Sequence, residues 1–174
     1  MNDDERKSVF MEWFERYGST VMKVSRAYTL TREECQDLAQ EILLNAWRSL
    51  PQFQNRSSLQ TWFYRVALQT AMTWQRNDKL RRSRQNSLLA VESIPCDAVT
   101  GGEELQNRET VDRLYRAIHR LPKTDAALVL LYLDQLSYRE MADVLDISES
   151  NVGVKLNRAK TALSQLMSEE SHES

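Results

Sequence analysis

The stretch YREMADVLDISESNVGVKLNRAK, Tyr138–Lys160, decides the fold of the second half of this chain. It predicts two short helices separated by the turn Asp146-Ile147-Ser148, which is typical of a helix-turn-helix. Ala142 is small where the two helices must cross closely. The apolar contacts between them are expected from Met141, Leu145, Ile147 and Val152.

The second helix of this motif carries the candidate DNA-contacting groups. Ser148 can cap its first turn, and Asp146 tolerates the left-handed conformation that such a turn often needs. Asn151, Lys155 and Arg158 are expected to face outward, where Asn and Arg can bond base edges in a major groove. Ordinary helical packing without DNA remains the alternative.

Upstream of the motif, the sequence predicts a helix over Leu105–Leu121 that Pro122 stops, and then an apolar helix over Asp125–Leu133. Between about Arg84 and Gly102 the helical pattern fails, and Pro95 with the pair Gly101-Gly102 indicates a linker. Fully extended, the linker spans at most roughly 60 Å.

The first half of the chain predicts three amphipathic helices. Residues 8–28 carry an apolar stripe of Phe10, Trp13, Phe14, Tyr17, Val21, Val24 and Tyr28. Thr31 and Glu34 can form a capping box for a second helix, which Pro51 ends near Leu50. Its inward stripe is Cys35, Leu38, Ile42 and Ala46. Ser57 or Ser58 can cap a third helix over 59–82, with Leu59, Trp62, Phe63, Val66 and Thr70 inward.

Composition agrees with an all-α fold of two small helical domains, an N-terminal bundle and a C-terminal helix-turn-helix domain. Only four Gly and three Pro are present, while good helix formers are abundant. Two cysteines are too few for a disulfide framework, and Asp3, Asp4 and Glu5 contradict a signal peptide. We therefore expect a reduced, cytoplasmic chain with no membrane insertion.

Charge is distributed unevenly along the chain, although the net charge is only −2. Residues 51–84 carry seven basic groups against Asp78 alone, whereas residues 1–50 sum to −2 and residues 85–174 to −6. A cationic block of this kind is typical of phosphate contact. A solvated helix face is the alternative interpretation.

A second helical face combines acidic and amide groups. Asp37, Gln40, Glu41 and Leu44 follow the spacing i, i+3, i+4 and i+7, opposite the inward stripe of the same helix. Such a face suits a basic helical partner, although a simply solvated surface would show the same spacing.

The loop before the third helix, and that helix itself, carry the features of single-stranded DNA binding. Arg65, Gln69, Thr73 and Arg76 share one cationic face, after the polar loop Gln54–Ser58. Basic tracks, aromatic rings and polar pockets hold unpaired bases. Core packing of Trp62 and Phe63 is the alternative for those rings.

The order of these motifs resembles one family. DLAQE at Asp37–Glu41, AW at Ala46-Trp47, LPQF at Leu50–Phe53 and SSLQTWFYRVA at Ser57–Ala67 precede the basic helix. LPKTDAALVLLYLDQLSYREMADVLDISESNVGVKLNRAKTAL follows at Leu121–Leu163. About four-fifths of the chain thus resembles the extracytoplasmic-function sigma factors, the smallest class of bacterial sigma subunits.

The resemblance implies a first domain, residues 8–84, that binds core RNA polymerase on the clamp helices of its β′ subunit and reads the melted −10 element. The polymerase-binding residues would be Asp37, Leu38, Gln40, Glu41 and Leu44. The −10 residues would be Gln54, Asn55, Arg56, Ser57, Ser58, Trp62, Arg65, Gln69, Thr73 and Arg76. Gln69 stands where many members carry Asn, so the preferred base is open.

It also implies a linker, residues 85–104, that resembles the segment threading toward the polymerase active site and RNA exit channel. A second domain, residues 105–167, would bind the β flap and the −35 element. Its −35 residues would be Ser148, Asn151, Gly153, Lys155, Asn157, Arg158 and Lys160. Gly153 replaces a frequent Arg of the family, which predicts weak or shape-directed reading of that element.

Other classes of protein fit less of the chain. Two histidines, and no phosphate loop, nucleophile elbow or metal-ligand set, argue against an enzyme, a cofactor or a metal site. A dimeric helix-turn-helix repressor explains only the second half, and an adaptor that bridges polymerase to another factor is a third alternative. An anti-sigma factor or another DNA-bound recruiting factor stays open as a partner.

Overall fold

In the computed structural model, residues 2–84 and 105–172 are described, except for the side chains of residues 78–84 and 105. All regular structure in these ranges is helical, which confirms the all-α prediction. The helices are α1 (Asp3–Tyr28), α2 (Arg32–Ser49), a 3-10 turn (Leu50–Gln52), α3 (Leu59–Arg84), α4 (Leu105–His119), α5 (Lys123–Leu133), α6 (Tyr138–Leu145) and α7 (Glu149–His172). The predicted linker lies outside the described residues.

The chain divides into two compact units. In unit 1, α1, α2 and α3 pack on one another, and in unit 2, α7 packs on α4, α5 and α6. Among the helices of the described ranges, none has the length and hydropathy that a bilayer crossing requires.

The core of unit 1 follows the predicted stripes closely. All four inward residues of α2, Cys35, Leu38, Ile42 and Ala46, are buried. On α1 the predicted stripe is wrong at Phe14, which is exposed because it lies at the edge of the face directed at α2 and α3. On α3 only Phe63 and Thr70 of the five predicted inward residues are buried, whereas Leu59, Trp62 and Val66 are half-buried. The other buried residues of this helix are Thr61, Tyr64, Ala67, Leu68 and Ala71.

An aromatic cluster joins the three helices of unit 1. The Trp13 ring meets the edge of Phe63 with ring centroids 4.1 Å apart, and Phe10 meets Trp47 at 5.3 Å. Arg6 lies 4.1 Å above the Trp47 ring, and its guanidinium donates a hydrogen bond to the Trp47 carbonyl. Edge-to-face ring pairs and a stacked guanidinium stabilise the fold by more than the apolar area that they bury. These contacts therefore fix the rotation of α1 relative to α2.

Short-range caps set most helix starts. The predicted capping box forms, because the Thr31 hydroxyl accepts from the Glu34 amide at 3.2 Å and the Glu34 carboxylate accepts from the Thr31 amide. The predicted start of α1 at residue 8 is wrong. A second capping box between Asn2 and Glu5 begins this helix at Asp3, and three acidic residues in the first turn favour its N-terminus.

Unit 2 differs from the predicted boundaries in three places, the first being α4, which ends at His119 and not at Leu121. The last helix, predicted to be short, extends to His172, where Glu170 pairs with Arg116 of α4 at 2.9 Å and Glu169 pairs with Arg120, directly after α4, at 3.0 Å. In addition, α5 begins at Lys123 directly after Pro122, two residues earlier than predicted. Its buried residues run without interruption from Asp125 to Leu131, so it forms the centre of the unit.

The turn between α6 and α7 has the predicted left-handed residue. Asp146 has φ 55° and ψ 47°, and its amide and that of Ile147 both donate to the Ala142 carbonyl. This geometry ends α6 and turns the chain before Ser148 caps α7.

We predict that Asp146→Gly stabilises unit 2 by about 1 kcal/mol, because glycine removes the Cβ strain of the left-handed conformation. Asp146→Val should destabilise it by a similar or larger amount. The measurement is chemical unfolding followed by circular dichroism. All four tryptophans lie in unit 1, so their fluorescence transition is the internal control and should not move. A shift of both signals together would contradict a local effect.

Candidate nucleic-acid interface

The acidic face of α2 lies on the surface, except for the predicted contact residue Leu38. Asp37 and Gln40 are exposed, Glu41 is half-buried, and the Leu44 side chain is 42% exposed. Leu38, which was also expected to contact polymerase, has 0% exposure and packs in the core. We define the docking face as Asp37, Gln40, Glu41 and Leu44. It combines carboxylates, an amide and one exposed leucine on a single helix.

Some residues of the loop before α3 are exposed, and others form contacts within unit 1. Gln54, Asn55 and Arg56 are exposed, and Asn55 adopts a left-handed φ of 53°. The Ser58 hydroxyl is occupied in capping α3, since it accepts from the Thr61 amide at 3.1 Å. Trp62 is half-buried against Phe53, with ring centroids 5.3 Å apart. The loop therefore exposes three polar side chains, while Ser58 and Trp62 hold its junction with α3 in place.

An open groove of about 750 Å³ runs between α2 and α3. From α2 and the 3-10 turn come Glu41, Asn45, Arg48, Ser49 and Gln52, and from α3 come Val66, Gln69, Thr70, Thr73, Trp74 and Asn77. Gln69 and Thr73 are thus brought together on one wall, as their spacing predicted, whereas Arg65, Arg76 and the loop residues Gln54–Ser58 are not part of the lining.

Several residues of this groove were not predicted from the sequence. Trp74 lines it half-buried, one residue from Thr73, and Asn45 crosses from α2 to donate to the Thr70 hydroxyl at 3.1 Å. The spacing Val66, Thr70, Trp74 and Asn77 was available as a signal, because it continues one face of α3 beyond Thr73. The α2 wall had no such signal, since it depends on how the two helices pack.

The recognition helix α7 presents the polar groups that its sequence predicted, with the Ser148 hydroxyl accepting from the Asn151 amide at 3.2 Å. Asn151 and Asn157 are exposed, whereas Gly153, Lys155 and Lys160 are half-buried. Val154, which was not among the predicted DNA-contacting residues, is the most exposed of the large hydrophobic residues in the described ranges.

Two cations of α7 have partners within unit 2. Arg158 pairs with Asp125 of α5 at 3.1 Å, where the aspartate side chain is 5% exposed and the arginine side chain 66%. The Lys160 ammonium lies 3.7 Å from the centre of the Tyr132 ring. Both were predicted as outward DNA-binding groups, and both are held by contacts that the sequence pattern did not reveal. Asp125 stands in the first turn of α5, where a helix N-terminus also favours a carboxylate.

The position of Gly153 is bordered by the ring of Tyr138. A Cβ at Gly153 would lie 3.6 Å from Tyr138 Cε2, which is ordinary van der Waals contact. A side chain can therefore be added at this position without displacing α6, and its absence is not required by packing.

Comparison with known proteins agrees with this arrangement. Residues 13–82 match the family described as Sigma-70 region 2, and residues 112–163 match the one described as Sigma-70, region 4. The "ECF RNA polymerase sigma-E factor" of Escherichia coli K12 is 30% identical over 138 residues, covering 73% of this chain and 70% of that protein. The chain belongs to the ECF sigma factors. It is an alternative sigma factor that directs RNA polymerase to promoters, and it is not an enzyme.

Further relatives of this ECF sigma factor cover more of its length. The sigma-E factor of Haemophilus influenzae is 28% identical over 162 residues, covering 88% of this chain and 85% of that protein. Among solved structures, the sigma factor RpoE of Bartonella quintana, crystallised with the anti-sigma factor NepR, has a TM-score of 0.73 at 16% identity and covers 91% of this chain and 96% of that one. CnrH, in complex with the cytosolic domain of CnrY, has a TM-score of 0.67 at 18% identity and covers 93% and 89%.

We predict that Arg158→Ala in this sigma factor lowers the unfolding free energy of unit 2 by about 1–3 kcal/mol, because it leaves the buried Asp125 carboxylate without its cation. The double variant with Asp125→Asn should recover most of that loss. The measurement is a double-mutant cycle of unfolding by circular dichroism. Additive losses in the double variant would contradict a pairing role for Asp125.

Proposed function

We propose that this ECF sigma factor uses three surfaces: the docking face on core polymerase, the α2–α3 groove on the melted −10 strand, and the outer side of α7 in the −35 duplex. The observation that carries this proposal is the groove, in which exposed amide and hydroxyl groups adjoin a tryptophan ring on the most basic part of the chain. We further propose that the protein works in the cytoplasm, where RNA polymerase is found.

The docking face supports binding to a basic helical surface such as the clamp helices of the β′ subunit. Asp37 and Glu41 lie one helical turn apart, and Leu44 adds an exposed apolar contact a further turn along. Interfaces of this kind combine an apolar anchor with complementary charge, which steers association and excludes wrong partners.

The groove supports capture of an unpaired base. Its volume of about 750 Å³ is within the range of small-molecule sites. Gln69 offers both donors and acceptors to a base edge, and the Trp74 ring offers a surface for stacking. The surplus of six positive charges in residues 51–84 would attract the phosphates on either side of that base. Asn55 and Arg56, in the neighbouring loop, are proposed contacts to the same strand.

The outer side of α7 supports major-groove contact by the helix-turn-helix. Because Gly153 has no side chain, we propose that Asn151, Lys155 and Asn157 provide most of the polar contact to the −35 element. Arg158 keeps donors for a phosphate beside its bond to Asp125, since a guanidinium has five. The β flap of core polymerase is the proposed partner of the rest of unit 2.

Control by an anti-sigma factor is a further proposal. It is supported by the solved structure of RpoE, which contains the anti-sigma factor NepR. A partner of this kind would have to cover the docking face or one of the DNA-binding surfaces in order to prevent initiation.

We predict that Asp37→Arg combined with Glu41→Arg abolishes binding to core polymerase, because reversed charges on the docking face cost several kcal/mol against a basic partner. The measurement is co-elution with core polymerase and Kd by fluorescence anisotropy. Glu12→Arg with Glu15→Arg is the matched control, because it makes the same change in charge at exposed positions of α1. Equal binding by the test and control variants would remove the docking face from the proposal.

For the groove, we predict that Gln69→Ala with Thr73→Ala leaves polymerase binding intact but reduces promoter opening about thirtyfold. Extruding a base costs a few kcal/mol, and two lost hydrogen bonds at about 1 kcal/mol each shift the balance toward the closed complex. Permanganate reactivity of −10 thymines measures the effect. Both side chains are exposed, so folding should be unchanged.

The matched control for this variant is Gln106→Ala with Thr110→Ala. It removes the same two side-chain types, with the same spacing of four residues, from exposed positions of α4 that lie outside the groove. Asn55 is left unchanged in both variants, because alanine in its left-handed conformation would strain the loop. Normal opening by Gln69→Ala with Thr73→Ala would show that the unpaired base binds elsewhere.

A further inference from the structure

Val154 is an apolar side chain at the centre of a polar helix face. It is 72% exposed, and it lies on the side of α7 opposite the buried residues Val152, Leu156 and Ala159. Single exposed hydrophobic residues are common on protein surfaces. Val154 differs from such residues because it lies on the outward face of α7, the helix that the proposed function places in the major groove.

Most of the side chains that surround Val154 form hydrogen bonds without carrying charge, and the exception on the same face is Arg158. One turn before Val154 are Ser150 and Asn151, and one turn after it are Asn157 and Arg158, all exposed. Thr161 follows a further turn along, and its hydroxyl donates to the Asn157 carbonyl at 3.0 Å. The centre of the outer face therefore consists of a valine framed by two carboxamides.

The cations that could read guanine lie beside this centre or have a partner within the unit. Gly153 has no side chain, Arg158 is bonded to the buried Asp125, and the Lys160 ammonium lies over the Tyr132 ring. Lys155 follows Val154 but is half-buried, so it lies at the side of the face and not at its centre. Arginine and lysine pair with guanine, asparagine pairs with adenine, and an apolar group contacts the methyl of thymine. The composition of this face thus favours A·T base pairs.

We propose that Val154 is a specificity-determining residue that contacts the 5-methyl group of a thymine in the −35 element, next to adenines read by Asn151 or Asn157. This inference rests on the proposed insertion of α7 into the −35 duplex. It goes further by naming the base pair and the atom that are read. Val154 contributes shape and apolar contact, and the flanking amides supply the hydrogen bonds.

The test uses holoenzyme assembled from the full chain and core polymerase. A promoter is first selected from a library with a randomised −35 region, and each −35 thymine is then replaced by deoxyuridine, which lacks only the methyl. With the native protein, one replacement should weaken promoter binding about fourfold, as expected for losing one buried methyl-sized contact. With Val154→Ala, binding to the thymine promoter should already be weaker, and the same replacement should have no further effect.

Val9→Ala is the matched control, because Val9 is an exposed valine on α1. It should show the same sensitivity to deoxyuridine as the native protein. Alanine is a better helix former than valine, so Val154→Ala should fold normally, and circular dichroism verifies this. The assignment of Val154 is overturned if no −35 thymine is sensitive to replacement by deoxyuridine in the native protein. It is also overturned if the sensitive thymine is equally sensitive in Val154→Ala.

The same library distinguishes failure of this inference from failure of the proposed function. If scrambling the whole −35 region leaves promoter binding unchanged, α7 does not read the element at all. If scrambling abolishes binding but the selected sequences contain guanine in place of A·T pairs, α7 binds there and the role of Val154 is wrong. The same selection with Gly153→Arg is a positive control, because the added guanidinium should introduce a preference for guanine in the selected sequences.

Discussion

Helical periodicity imposes the constraint on which the rest of this protein depends. A small helical unit must bury one stripe of each helix, and the opposite stripe is then the only surface left for partners. On α2, burial of Leu38 and Ile42 turns Asp37 and Leu44 outward. On α7, burial of Val152 and Leu156 turns Val154 outward. The positions of the docking face and of the outer side of α7 are therefore fixed by the core on the other side of the same helix, whereas the groove lies where α2 and α3 meet.

The features that the sequence predicted correctly are local ones. The Thr31–Glu34 box, the Ser148 cap and the left-handed Asp146 each involve residues no more than four apart, so their geometry follows from residue type and spacing. The buried stripe of α2 was also predictable, because an apolar residue repeats there every three or four positions. The start of α1 was missed, since its N-terminal turn is polar and is marked only by the Asn2–Glu5 capping box and the acidic residues of that turn.

What the sequence did not predict depends on contacts between distant residues. Arg158 and Asp125 are 33 positions apart, and nothing in either helix identifies the other as its partner. For the same reason the α2 wall of the groove was missed, although its α3 wall was partly predicted from Gln69 and Thr73. Side chains with similar sequence signals thus have different roles: Arg158 also holds α7 against α5, whereas Asn151 and Asn157 remain on the surface.

Weak individual contacts are sufficient when two DNA-binding units act in one chain on one polymerase. In the proposed arrangement, α7 would meet the −35 element as an intramolecular partner once unit 1 has engaged, at an effective concentration set by the connecting residues. A face of amides and one valine would then discriminate among promoters without high affinity of its own. A strong guanine-reading arginine at Gly153 would raise affinity for duplex DNA in general, because an added cation also binds phosphate. In the proposed arrangement, the absence of that arginine leaves discrimination to groups that would contact base edges and methyls.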